Sequence, residues 1–308
     1  MLRIAVLCGG VGAARFLAGL VRVVDPAGVT AIVNVADDDE FHGLHVSPDI
    51  DTVLYTLGGV VEESQGWGRR DETFHAQAEL VRFGEQAWFR LGDRDLAAHI
   101  HRTRLLRGGA SMTAVVDGMR QAFGIRTRIL PATDGAQRTM VRTGEGWIAF
   151  QEYFVKRRAA DTVREIRFEP QAAPTAAVRA AIAEADAIVI APSNPFVSIG
   201  PILALDGMRG AIRSARPKVV AVSPIVGGAA IKGPAAAMLE ALGHQVSALG
   251  VARIYADLAA TFVLDEQDRA LVRDVEGLGL RAVATATIMR DDASRAALAR
   301  SVVEATSR

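Results

Sequence analysis

Val29-Thr30-Ala31-Ile32-Val33-Asn34-Val35-Ala36-Asp37-Asp38-Asp39-Glu40 is the stretch whose reading decides the fold. Residues 29–35 are short, β-branched and apolar, the pattern of a buried strand, and the run empties directly into acid. His42, Gly43, His45, Ser47 and Pro48 come next, and then Asp49 and Asp51 stand at the mouth of a helix that continues Thr52-Val53-Leu54-Tyr55. Six carboxylates therefore fall within fifteen residues, 37–51. In open α/β sheets ligands collect at the carboxyl ends of strands, and hard divalent cations such as Mg²⁺ take carboxylate oxygens there, commonly beside substrate phosphates. The cluster is a candidate metal site. The alternative is a solvated acidic turn in which Ser47 or Asp49 caps the next helix.

Working toward the N-terminus, residues 2–7 form an apolar run ended by Gly9-Gly10-Val11-Gly12, after which Phe16, Leu17, Leu20 and Val24 recur at helical spacing. Strand, glycine turn and helix in that order let backbone N–H groups approach a phosphate unobstructed, which makes Gly9, Gly10 and Gly12 candidate phosphate contacts. The loop lacks both the full Gly-x-Gly-x-x-Gly spacing and the Gly-Lys-Ser/Thr of a P-loop, so a tight turn without ligand is the alternative. A dinucleotide-dependent dehydrogenase is disfavoured on the same ground.

Working toward the C-terminus, strand signals almost vanish between residues 59 and 123, where 73–83 and 95–101 are the clearest helical pieces. His99 and His101 are two apart and do not share a helix face, so a zinc pair is not expected. Strand patterns resume at 126–130, 139–143 and 146–154, with Gly144-Glu145-Gly146 predicting a hairpin. A helix over 175–185 and a buried strand over 187–191 follow, and Pro192-Ser193-Asn194-Pro195 breaks the chain. Residues 219–222 make another strand, ending in Ser223-Pro224-Ile225-Val226-Gly227-Gly228 and Lys232-Gly233-Pro234. Later strand–helix pairs are read at 245–249, 261–264 and 280–284, with a closing helix over 291–307. This alternation predicts an α/β fold: one domain over 1–308 built on a doubly wound, mostly parallel, Rossmann-like sheet, with a helical insertion at 59–123. The polar exits after Leu7, Val35 and Ala191 are expected side by side, and that convergence is where a site belongs.

Composition limits the function classes. Lys plus Arg and Asp plus Glu both number 35 in the 308 residues, so no global charge advertises nucleic acid or an anionic membrane. The lone Cys8 excludes an intramolecular disulfide and suits a reducing compartment. Arg15 and the glycine loop interrupt the apolar N-terminus where a signal peptide needs its core, and nowhere do about 18 uninterrupted apolar residues offer a membrane span. A soluble, cytoplasmic protein is expected.

The glycine loop, His42-Gly43-Leu44-His45-Val46-Ser47-Pro48-Asp49-Ile50-Asp51-Thr52-Val53-Leu54-Tyr55, Leu91-Gly92-Asp93-Arg94-Asp95-Leu96-Ala97, Phe150-Gln151-Glu152-Tyr153-Phe154-Val155, Ala191-Pro192-Ser193-Asn194-Pro195 and Ser198-Ile199-Gly200-Pro201-Ile202-Leu203 resemble the 2-phospho-L-lactate transferase family of coenzyme F420 biosynthesis. The resemblance runs in order along nearly the whole chain. It implies a Mg²⁺-dependent transfer of a phosphorylated three-carbon acid, lactyl or enolpyruvyl, from its guanosine diphosphate adduct to the terminal ribityl hydroxyl of the deazaflavin Fo. The products are GMP and F420-0 or dehydro-F420-0, and a homodimer is expected. With that chemistry in view, Asp37, Asp38, Asp49 and Asp51 contain the expected Mg²⁺ ligands, and Asp37, Asp49 or Asp51 takes the proton of the attacking hydroxyl. Gly9, Gly10, Gly12, Ser193 and Asn194 are expected at the guanosine diphosphate end, with Lys232 as counter-charge. Arg94, Thr103 and Arg104 of the insertion are expected at Fo, while Trp88 and Phe89 read as packing. A nucleotide-sugar-binding regulatory protein of the same fold is the alternative.

Overall fold

The structure, a computed structural model, describes residues 1–231 and 233–306. Seven parallel strands form the central sheet: β1 (Ile4–Cys8), β2 (Val29–Val33), β3 (Arg128–Pro131), β4 (Ala187–Ile190), β5 (Val219–Val222), β6 (Thr261–Asp265) and β7 (Arg281–Thr285), in the order β7-β6-β5-β4-β1-β2-β3. β1, β4, β5 and β6 are buried along their whole length, because a parallel sheet carries helices on both faces and its strands need apolar side chains on both. Alternate residues of β1 serve different cores. Ile4, Val6 and Cys8 pack on one side with the helices Gly10–Leu20 (α1), Pro48–Leu57 (α2) and Met112–Ala122 and the closing helix Asp292–Thr306. Ala5 and Leu7 pack on the other with the helices Ala176–Glu184, Met208–Ser214 and Ala248–Tyr255. The doubly wound α/β expectation holds.

The strand order reverses direction between β1 and β4, and ligand crevices in this class of fold open at such a reversal. Register places the exits level there: β1 pairs with β2 from Ile4↔Val29 to Cys8↔Val33 and with β4 from Ile4↔Ala187 to Leu7↔Ile190. Gly9, Asn34 and Ala191 thus leave the sheet side by side.

Beyond β2 the acidic run folds into a small hairpin, Asp39–Phe41 against Leu44–Val46. Its turn needs left-handed backbone at His42 (φ 51°) and Gly43 (φ 72°). Residues 59–123 carry the helices His75–Arg82 (α3), Asp93–Arg107 (α4) and Met112–Ala122 (α5), and among the described residues only one isolated bridge, Val61 to Arg69. A separate antiparallel sheet centres Arg138–Thr143 between Gly146–Ala149 and Glu165–Glu169, with the hairpin closing at Thr143↔Gly146 as expected.

Two readings differ from the structure. The strand read over 146–154 stops at Ala149, after which Phe150 starts a helical segment that widens over Glu152–Lys156. Residues 245–249 enter no strand, because Ser247 Oγ accepts from Gly250 N at 3.1 Å and caps the helix Ala248–Tyr255. Among the described residues no helix is long and apolar enough to cross a membrane.

Candidate active site

At the strand reversal one carboxylate gathers the three exits. Asp49, in the first turn of α2, accepts Gly10 N on Oδ1 at 2.8 Å and Asn34 Nδ2 on Oδ2 at 3.0 Å. Asn34 also accepts Ala36 N on its Oδ1 (2.9 Å) and donates to Val197 O (3.3 Å), so a single buried amide joins the exit of β2, the mouth of α2 and the loop after β4. Ser193 Oγ closes the set by donating to Gly9 O at 2.9 Å. Gly9 has no room for a side chain: a Cβ there would lie 2.5 Å from Asp49 Oδ2 and 3.0 Å from Ser198 Cβ.

Asp37 stands next to this group. It is 6 % exposed, its Oδ1 is buried without a hydrogen-bond partner, and Gln151 Nε2 holds its backbone carbonyl at 3.0 Å. Burial and, after it, the charge of Asp49 push the Asp37 carboxyl well above the usual range, with the nearby Thr139 and Asn34 side chains opposing the rise. Burial likewise lifts Asp49 to about 6, with the hydrogen bonds from Asn34 and Gly10 opposing the rise. Two adjacent buried carboxylates whose proton affinity is raised are a candidate for holding a cation or a proton.

The other two aspartates are already partnered. Arg102, fully buried on α4, makes a bidentate ion pair with Asp51, with Nη1 3.0 Å from Oδ2 and Nη2 on Oδ1. Asp38 lies 2.9 Å from His45 Nε2 and accepts Ser47 Oγ at 2.7 Å. Burial raises the Asp38 carboxyl, and His45, Ser47 and Arg102 hold that rise in check.

The remaining expected residues divide between the site and its surroundings. Gly10 donates its N–H to Asp49, whereas Gly12 serves close packing, since a Cβ there would run into the Pro192 carbonyl. Asn194 Oδ1 accepts Phe196 N at 2.9 Å and Val197 N at 3.4 Å, capping the wide turn Pro195–Ile199. Lys232 lies outside the described residues. Thr103 is brought to the acidic segment, its Oγ1 accepting His45 N at 2.8 Å. Arg94 and Arg104 are exposed on α4, and Arg94 Nη1 reaches Arg70 O at 3.3 Å. Trp88 and Phe89 pack on Phe41 of the hairpin: the Phe89 ring stacks at 4.0 Å and 15°, and Trp88 meets it edge-on at 5.2 Å.

Sequence reasoning passed over Asn34, Arg102 and Gln151 as functional residues. A polar amide directly after an apolar strand is a visible signal for Asn34. The Asp95, His99, Arg102 stripe, at steps of four and three along a helix, is one for Arg102.

A Mg²⁺ ion fits these residues in one manner. Among the described residues no three His, Cys, Asp or Glu side chains are gathered so as to enclose an ion alone. Mg²⁺ is ordinarily held by one or two carboxylates together with substrate phosphates and water, and the orphaned Oδ1 of Asp37 beside Asp49 offers that pair.

A family described as 2-phospho-L-lactate transferase CofD matches residues 4–304. The chain belongs to this family. Proteins named phosphoenolpyruvate transferase are similar to it along most of their length. The one from Streptomyces griseus is 45 % identical over 98 % of both chains. That from Streptomyces coelicolor is 44 % identical over 97 % of this chain and 96 % of its own, and that from Mycobacterium avium 41 % over 92 % and 93 %. The crystal structure of protein BH3568 from Bacillus halodurans shares the fold, with a TM-score of 0.63 at 18 % identity over 98 % of this chain and 99 % of that one.

Proposed function

We propose that the chain transfers an enolpyruvyl phosphate group from its guanosine diphosphate adduct to the terminal ribityl hydroxyl of Fo, with release of GMP. The family supports the transferase chemistry, and the shared name of the relatives from Streptomyces and Mycobacterium supports the enolpyruvyl donor over the lactyl one. The observation that carries the reading is the buried pair Asp37 and Asp49, set against the glycine turn at the strand reversal. Asp37 and Asp49 would hold a Mg²⁺, which would supply neutralisation of the donor's phosphate charge. The chain's own residues do the positioning that phosphoryl transfer mainly demands. Gly9 keeps the crevice floor free of side chains, while Asn34 and Gly10 N orient Asp49. As the hydroxyl oxygen bonds to phosphorus and the bond to the GMP oxygen breaks, the hydroxyl proton passes to a carboxylate oxygen of Asp37 or Asp49. A cytoplasmic location and a homodimer remain part of this reading.

The test is direct. The purified chain with Mg²⁺, Fo and the guanosine diphosphate adduct of phosphoenolpyruvate should yield a fluorescent, more anionic deazaflavin and stoichiometric GMP. Turnover of the phospholactyl adduct alone would reverse the donor assignment. No product from either adduct, with Fo recovered intact, would remove the acceptor assignment.

A further inference from the structure

α4 supplies the partners that separate the four aspartates. Arg102 forks onto both oxygens of Asp51 and also donates to His45 O at 3.3 Å, while its neighbour Thr103 accepts His45 N at 2.8 Å. Both backbone polar groups of His45 are therefore held by consecutive residues of one helix. Arg107 adds a third hold on the same hairpin, Nη2 to Gly43 O at 2.7 Å. So fixed, the His45 ring meets Asp38 Oδ2 at 2.9 Å. The guanidinium is itself braced from behind. His99 Nδ1 lies 3.2 Å from Arg102 Nη1, His99 Nε2 lies 3.3 Å from Asp95, and the Tyr55 hydroxyl donates to Asp95 at 2.6 Å.

We propose that Arg102 and Thr103 are positioning residues that define the cation site: they close Asp51 directly and Asp38 through His45, and leave Asp37 and Asp49 as the carboxylates open to the ion. The inference rests on the cation reading of Asp37 and Asp49 above. Its physical basis is that a buried bidentate pair uses both carboxylate oxygens and compensates their charge. Asp51, paired to a guanidinium, presents a metal no uncompensated charge, whereas Asp49 accepts only the neutral donors Gly10 N and Asn34 Nδ2 and keeps both its charge and a further lone pair on each oxygen. The same contacts make the ligand set depend on the seating of α4, so the insertion and the metal site act as one unit.

Mn²⁺ binding to the full chain, followed by electron paramagnetic resonance, tests this without reference to turnover. Asp51→Asn is expected to bind Mn²⁺ within about twofold of the wild type, as a group outside the ligand set should. Thr103→Val unfastens His45, and with it Asp38, the chain neighbour of Asp37, without changing charge; the displacement of Asp37 is expected to weaken Mn²⁺ roughly tenfold, the scale on which groups supporting a ligand shell act, and Thr103→Ser to restore it. Because Asp51→Asn leaves Arg102 without its main partner, a melting curve accompanies it, and the uncharged Thr103 pair decides the matter should that variant not fold. Loss of Mn²⁺ in Asp51→Asn as complete as in Asp49→Asn would overturn the inference while the cation site stands, and so would wild-type affinity in Thr103→Val. Wild-type affinity in Asp49→Asn would overturn the cation site itself, and this inference with it.

Discussion

Asn34 donates to Asp49 Oδ2 at 3.0 Å, and through that bond the end of one central strand sets the orientation of a carboxylate on the following helix. The amide lies at the carboxyl end of β2, where its Oδ1 is held by Ala36 N and cannot rotate away. Asn34→Ala should therefore leave the strand intact and Asp49 loose. Cation affinity and turnover should both fall, by roughly 10- to 100-fold, the usual consequence of removing a group that orients a metal-binding side chain. Calorimetric titration with Mg²⁺ alongside initial rates measures both, and unchanged values in the two would show that Asp49 needs no orienting partner.

The open carboxylates should be the sensitive ones. Asp37→Asn and Asp49→Asn are each expected to lower turnover at saturating Mg²⁺ by about two to four orders of magnitude, as loss of a principal electrostatic group does. Either variant above a tenth of the wild-type rate would remove that residue from the machinery.

The pH dependence of stability follows from the same burial. For Asp49, the folded carboxyl binds its proton at about 6 against an ordinary value of 3.8, and Asp37 is displaced in the same direction. A raised acid binds protons more tightly folded than unfolded, so its cost to stability is fully present above pH 6 and disappears as the pH falls toward 4. For Asp49 the difference amounts to about 3 kcal/mol. Without divalent cation, melting temperature should rise as pH is lowered from 7 to about 5. Added Mg²⁺ should stabilise at pH 7 and progressively less below pH 6, where protons compete for the pair. A melting temperature that falls monotonically over that interval in metal-free buffer would contradict the burial of these charges.

The central sheet was legible because strands buried on both faces must be apolar throughout, and β1, β4 and β5 are such runs. Their polar exits marked the site for the same reason: Gly9, Asn34 and Ser193 interrupt the pattern where the chain leaves the core. The stretch 245–249 was misleading because a capping serine inside an apolar run resembles a strand until the Ser247 bond to Gly250 N is seen. The sorting of the aspartates was not legible at all. Asp49 and Asp51 are equivalent as letters two residues apart, and they differ only in that one meets Gly10 N and Asn34 while the other meets Arg102, far along the chain. Charge compensation over such separations is a product of the fold, with no local trace.

Gly9 offers a steric test of the crevice. A methyl group there would approach Asp49 Oδ2 to 2.5 Å and Ser198 Cβ to 3.0 Å, and both neighbours are fixed by other bonds or by burial. Gly9→Ala should displace Asp49 and lower Mg²⁺ affinity at least tenfold, as loss of ligand orientation does, with little change in far-ultraviolet circular dichroism. Full affinity in this variant would mean that the Asp49 carboxylate shifts freely, against its two hydrogen bonds.

The acceptor end turns on which side chains meet a flat ring. Arg94 and Arg104 are exposed on α4, whereas Phe41 lies on the hairpin that continues from the acids and stacks on Phe89 at 4.0 Å. A planar deazaflavin gains most from a surface that is already flat, aromatic and half-buried. Phe41→Ala should therefore raise the apparent constant for Fo by roughly three- to tenfold, the scale of one aromatic contact, and leave GDP binding within error. Arg94→Ala and Arg104→Ala measured in parallel decide between the two walls. Should they raise the constant for Fo while Phe41→Ala does not, the ring lies along the outer face of α4, and the aromatic trio serves only to brace the hairpin.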